Sequence, residues 1–181
     1  MIKENFIKIR NEITTNVELV VATKARTIAE IQEVISAGAT IIGENYVKEA
    51  GEKYAVIGSK VKWHLIGHLQ RNKVKDAVKI FDMMESLDSL DLAATINKEC
   101  RKVQKIMPVL IEINCAAEYQ KAGILPEDFN AFMEDVLKLK TIKPMGLMTM
   151  GPLLKNSQDL RSYFEKTRQI FEKAKKIFAL D

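Results

Sequence analysis

The chain has 181 residues, 47% of them hydrophobic and 29% charged, a balance that excludes a disordered chain and suits one domain over residues 1–181 with a sizeable core. No apolar run approaches the ~20 residues that a membrane-spanning helix needs, and the first ten residues lack the apolar block of a secretory signal, so no membrane partner is expected. The formal charge is +4, but the basic residues are spread along the chain, and the densest group, between Arg161 and Lys176, is interrupted by Glu165 and Glu172; it reads as a solvated helix face, and no nucleic-acid partner is expected.

Met1 to about Thr14 is expected to form a leading helix. A first strand follows at Leu19–Thr23. Thr27 and Glu30 form a T-x-x-E capping box, Ile28, Ile31, Val34 and Ile35 keep helical spacing behind it, and Gly38 supplies the stop. Further strands are expected at Thr40–Gly43, Lys62–Ile66, Met83–Leu87, Val109–Asn114 and Pro144–Thr149. Pro126, Glu127 and Asp128 make a good first turn for a helix whose apolar face carries Phe129, Phe132, Met133, Val136 and Leu137. A last helix carries Leu160, Tyr163, Phe164, Thr167, Ile170, Phe171 and Ala174 on one stripe.

Several of the strand runs are nearly continuous in Val, Ile and Leu, as strands covered on both faces are, and they alternate with helices at short spacing. That is the βαβ pattern of a parallel sheet. An open doubly wound sheet would usually carry a glycine-rich fingerprint after its first strand, whereas here Lys24, Ala25 and Arg26 follow. A (β/α)8 barrel needs eight units in about 250 residues, and this chain supplies six. The fold expected is therefore α/β, either an unusual one or a (β/α)8 TIM-type barrel missing its last two strands.

Cys100 and Cys115 lie outside any CxxC pair; both read as core residues of a protein of the reducing cytoplasm. Lys24 stands just past a buried strand, at the end where parallel α/β folds place their sites. A desolvated lysine amine attacks aldehydes, although a plainly solvated lysine is the simpler reading from physics alone. Gly43 and Gly67 permit close backbone approach, and Asn45 and His64 can place hydrogen bonds on a ligand. His64 and His68 are too few for a metal site. Glu44 reads as a structural carboxylate that caps a helix or pairs with a base. Met148 and Met150 are either barrel filling or a surface for a flat ring.

The stretches VVATK at Val20–Lys24, IIGENYVKE at Ile41–Glu49 and WHLIGHLQRNK at Trp63–Lys73 are joined by SLDSLDLA at Ser86–Ala93 and VLIEINCA at Val109–Ala116. KAGI at Lys121–Ile124 and GLMTMG at Gly146–Gly151 complete the set. In order and spacing this sequence resembles the pyridoxal phosphate homeostasis proteins, which are related in fold to the barrel domain of alanine racemase. The resemblance implies a barrel that holds pyridoxal 5′-phosphate (PLP) as a Schiff base on Lys24, with Asn45, His64, Gly67 and Met148 lining the same mouth. It implies PLP homeostasis without catalysis, with apo PLP-dependent enzymes as partners. Two alternatives are a racemase-like PLP enzyme and an interaction protein that no longer binds PLP. The family holds the cofactor phosphate near its C-terminus, on a Ser-containing loop and an Arg-Ile-Gly-type stretch. Neither lies within these residues, so a truncated member is expected.

Overall fold

The computed structural model describes every residue except 117, 119–121, 153–155 and 179–181. Six parallel strands form one sheet in the order β1-β2-β3-β4-β5-β6: β1 (Val21–Ala22), β2 (Ile41–Glu44), β3 (Lys62–Leu65), β4 (Met83–Leu87), β5 (Met107–Glu112) and β6 (Ile142–Met148). Strictly sequential order with a helix in every crossover is barrel-type winding, because a doubly wound sheet would reverse its strand order. Among the described residues β1 and β6 are the edges of this partial barrel.

Each helix arises from local chemistry. In α2 (Ile28–Ser36), Glu30 N donates to Thr27 Oγ1 at 3.3 Å and Thr27 N donates to Glu30 Oε2 at 2.8 Å, the reciprocal pair of a capping box. Gly38, at φ +106°, then turns the chain left-handed, and Ala39 N donates back to Val34 O at 3.1 Å. The leading helix, α1 (Ile2–Glu12), buries Phe6 against Val34 and Ala39. The remaining helices are α3 (Val47–Ile57), α4 (Val74–Ile80), α5 (Leu90–Lys102), α6 (Phe129–Val136) and α7 (Arg161–Phe178). Pro126 to Asp128 form a turn before α6, since Asp128 is its N-cap, and Leu160 belongs to a short 3-10 turn ahead of α7.

Side chains alternate along a strand, and β5 makes the consequence plain. Met107, Val109 and Ile111 are fully covered, while Pro108, Leu110 and Glu112 are only partly covered. The first set belongs to the layer between sheet and helices, a continuous core that also holds Trp63, Phe81, Leu87, Ile96 and Met133. The second set faces the inside of an arc that six strands do not close. Continuous Val, Ile and Leu content therefore did not mean equal burial on both faces here.

Strand limits differ from the expected ones by one or two residues. β1 is short because only Val21 and Ala22 pair with β2, at Ile42 and Gly43, although Thr23 N still donates to Gly43 O at 2.9 Å. β6 begins earlier, at Ile142, and its register against β5 slips between Val109/Pro144 and Leu110/Gly146. Pro144 has no N–H to give to a ladder, and a bulge on an edge strand accommodates that loss. Among the described residues no helix is long and apolar enough to cross a membrane.

Candidate functional site

Five side chains or backbone positions singled out in the sequence lie at the carboxyl ends of the strands. Ala22 and Gly43 pair across β1 and β2 and share the inward face, and Lys24 and Asn45 follow them by two residues, in the turn after β1 and the bend after β2. His64 pairs with Gly43 in the β2–β3 ladder and shares that face. Gly67 follows β3, and Met148 ends β6, opposite Glu112 of β5. Lys24, Asn45, His64 and Gly67 thus cluster on three adjacent units, while Met148 sits at the other edge of the arc.

Lys24 is exposed, and among the described residues its ammonium has no ion-pair or hydrogen-bond partner. Its backbone is the opposite. The carbonyl of Thr23 accepts from Lys53 Nζ at 2.7 Å, and Ala25 N donates to Glu49 Oε1 at 2.6 Å. Lys53, on the inner stripe of α3 with Val47, Ala50 and Ile57, also donates to Glu44 Oε1 at 2.6 Å and to Glu49 Oε1 at 2.7 Å. Thr23 Oγ1 donates to Glu44 Oε1 at 2.7 Å. Burial opposes the charge on Lys53, but its hydrogen bonds to Glu44 and Glu49 outweigh that and hold its pKa above the ordinary lysine value. The same bond to Lys53 holds Glu49 below the usual carboxylate range. Glu44, expected as a structural carboxylate, is fully buried and fills that role as the partner of Lys53.

Asn45 and Gly67 meet closely. A Cβ at Gly67 would lie 2.6 Å from the Asn45 carbonyl oxygen and 2.7 Å from its Cα, so only glycine lets these two loops approach. The Gly67 carbonyl is fixed from behind by Ser86 Oγ, which donates to it at 2.6 Å. Asn45 Oδ1 is buried and has no partner among the described residues, a costly arrangement unless a ligand supplies a donor. His64, nearly buried, donates from Nδ1 to Glu85 Oε1 at 2.6 Å, which leaves Nε2 as the free ring nitrogen. Further round the arc, burial and then the neighbouring Asp88 carboxylate push the Glu112 pKa up, with His68 pulling the other way.

Sequence reasoning did not single out Glu49, Lys53, Glu85 or Glu112. The one available signal was Lys53 itself, a lysine at helical spacing on an apolar stripe. Met150 is exposed, and Lys121 of the KAGI stretch lies outside the described residues. Among the described residues no group of three or more His, Cys, Asp or Glu could hold a metal ion.

These features define a parallel barrel-type sheet with a lysine at the mouth of its first strand, and the alanine racemase N-terminal domain family matches the chain over residues 1–180. A pyridoxal phosphate homeostasis protein of Aquifex aeolicus is 38% identical over 84% of this chain and 68% of its own. A protein of the same name from Haemophilus influenzae is 32% identical over 96% of this chain and 75% of its own. The chain belongs to the pyridoxal phosphate homeostasis protein family, within the alanine racemase N-terminal domain class. Among solved structures, PipY of Synechococcus elongatus without PLP superposes with a TM-score of 0.92 at 28% identity, over 97% of this chain and 83% of that one. PipY with PLP bound gives 0.89 at 27% identity, over 97% and 82%.

Proposed function

We propose that this chain binds PLP through a Schiff base at Lys24 and serves PLP homeostasis in the cytoplasm, holding the cofactor and handing it to apo PLP-dependent enzymes without catalysis of its own. The observation that carries this reading is the placement of Lys24 and Asn45 just beyond the ends of the neighbouring β1 and β2, the Lys24 amine and the buried Asn45 Oδ1 both without a partner among the described residues. PipY, so similar over nearly the whole chain, has a structure with PLP bound.

The residues present fit the aldehyde and ring of the cofactor. Lys24 offers the amine, and Asn45 Oδ1 would take a hydrogen bond from a ligand group. Glycine at position 67 lets the Asn45 backbone sit where a Cβ would otherwise stand, which keeps Asn45 at the mouth. His64 presents Nε2 with its ring orientation fixed by Glu85. Met148 offers a soft apolar surface at the far edge of the mouth. When bound, PLP brings an aldehyde; the protein's part is to present one amine to it and to limit access by others.

The non-catalytic reading rests on the names of the relatives, which describe homeostasis rather than a reaction. A racemase would need an acid–base group on each face of the ring. Incubation of the purified chain with PLP, borohydride reduction and mass spectrometry should give one adduct, at Lys24, absent from Lys24→Ala. Adducts scattered over many lysines, and unchanged in Lys24→Ala, would overturn the proposal. Deuterium exchange at Cα of alanine in the presence of PLP would overturn the non-catalytic part.

A further inference from the structure

We infer that Glu49 and Lys53 of α3 are positioning residues for Lys24: they grip the two peptide units on either side of it and fix the direction in which its amine leaves the backbone. This inference rests on the reading of Lys24 as the PLP lysine.

The geometry is a closed ring. The peptide unit before Lys24 is held by its carbonyl, Thr23 O, which accepts from Lys53 Nζ at 2.7 Å. The peptide unit after Lys24 is held by its N–H, Ala25 N, which donates to Glu49 Oε1 at 2.6 Å. Glu49 and Lys53 close the ring between themselves at 2.7 Å, one helical turn apart on α3. The orientation of Lys24 Cα–Cβ depends on those two peptide planes. Ala25 sits at φ +57°, a conformation that costs a non-glycine residue energy and persists only when its surroundings hold it there.

Lys53 is itself unsuited to react. Its three ammonium donors meet three acceptors, Thr23 O, Glu44 Oε1 and Glu49 Oε1, and its pKa is raised, so it stays a protonated anchor. The neighbouring Lys24 is exposed and has no partner among the described residues, so of the two lysines it is the one available to react. A buried charge cluster is weak support for stability as such, because apolar packing often serves equally well. Order imposed on one particular backbone turn is what this cluster provides and apolar packing would not.

In the step at issue the neutral Lys24 amine would bond to the aldehyde carbon, and its two N–H hydrogens would leave with the aldehyde oxygen as water. Fixing the Cα–Cβ direction narrows the region that the amine samples and so favours that bond, since misplacement of a reacting group has large rate costs.

The test uses the full chain with PLP, borohydride quenching at timed intervals, and mass spectrometry of the Lys24 adduct. Glu49→Ala removes the grip on Ala25 N but leaves Lys53 with Glu44 and Thr23 O, so the fold should persist with its melting midpoint within about 5 °C of the parent. The initial rate of Lys24 labelling should fall about tenfold. Glu49→Gln keeps an acceptor oxygen and should recover most of that rate. Unchanged labelling of Lys24 in Glu49→Ala would overturn the inference while leaving the PLP lysine assigned. Loss of the folded circular dichroism signal in Glu49→Ala would also overturn it, by making the ring a requirement of folding. Absence of specific Lys24 labelling in the unaltered chain would remove the PLP reading, and this inference with it.

Discussion

Gly67 and the Asn45 backbone lie so close that a single added methyl would stand 2.6 Å from the Asn45 carbonyl oxygen. The obstacle is main chain, which cannot swing aside as a flexible side chain would. Gly67→Ala should therefore push the two loops apart and cost about 1–3 kcal/mol of stability. It should also displace Asn45 from the mouth. Urea denaturation would measure the first effect, and a titration of PLP absorbance the second. Unchanged values for both would mean that the close approach is not maintained in solution.

Lys53 and Glu44 form an ion pair at 2.6 Å with almost no access to water. Removing one partner leaves the other charge buried alone, so Lys53→Met should cost ~3–5 kcal/mol. The double variant Glu44→Leu with Lys53→Met removes both charges and should regain most of that loss, because two apolar side chains of similar size do not need each other's charge. Chemical denaturation of the two proteins gives the comparison. A double variant no more stable than Lys53→Met would show that the surrounding layer cannot repack around apolar groups.

Trp63 is the largest side chain with no exposure, and it has a partner for its polar edge as well as for its ring. Nε1 donates to Gly58 O at 2.9 Å, at the end of α3, and the ring meets Tyr54 edge-on at 5.5 Å between centroids. It joins β3 to the helix that carries Lys53. Trp63→Ala should cost about 3–5 kcal/mol through the cavity it leaves. Trp63→Phe fills much of the space and should cost less. Thermal melts of the two variants would rank them.

The class of fold was legible in the sequence because alternation of apolar strands with capped helices is a local signal, and the Thr27–Glu30 box was read with both hydrogen bonds in place. The neighbours of Lys24 were less accessible. Glu49 and Lys53 lie about one to two helical turns into α3, and nothing local says that this helix docks its first turns beside the end of β1. The His64–Glu85 bond spans 21 residues and depends on the β3–β4 register, which pairs His64 with Met83. Lys24 itself could not be separated from an ordinary surface lysine by physics. The resemblance singled it out, and the structure adds a rigid backbone beneath a free side chain. Strand ends were misplaced by a residue or two where pairing, rather than composition, decides them, as at Ala22 and Glu112.

Glu112 faces the inside of the arc, where burial and then the Asp88 carboxylate push its pKa above the ordinary glutamate value. A raised folded-state pKa means that the folded chain binds this proton more tightly than the unfolded chain. Its stabilising effect is fully present below the unfolded pKa of about 4.3 and is lost as pH rises through the higher folded value. Glu112→Gln cannot ionise and escapes that loss. The variant should therefore gain stability relative to the parent as pH is raised from 4 toward 7, with the gain flattening once the parent carboxyl is charged. Urea midpoints for both proteins across that range would test it. A difference that stays constant with pH would mean that Glu112 titrates alike in the folded and unfolded chains, and that the Asp88 charge is too well screened at the mouth to matter.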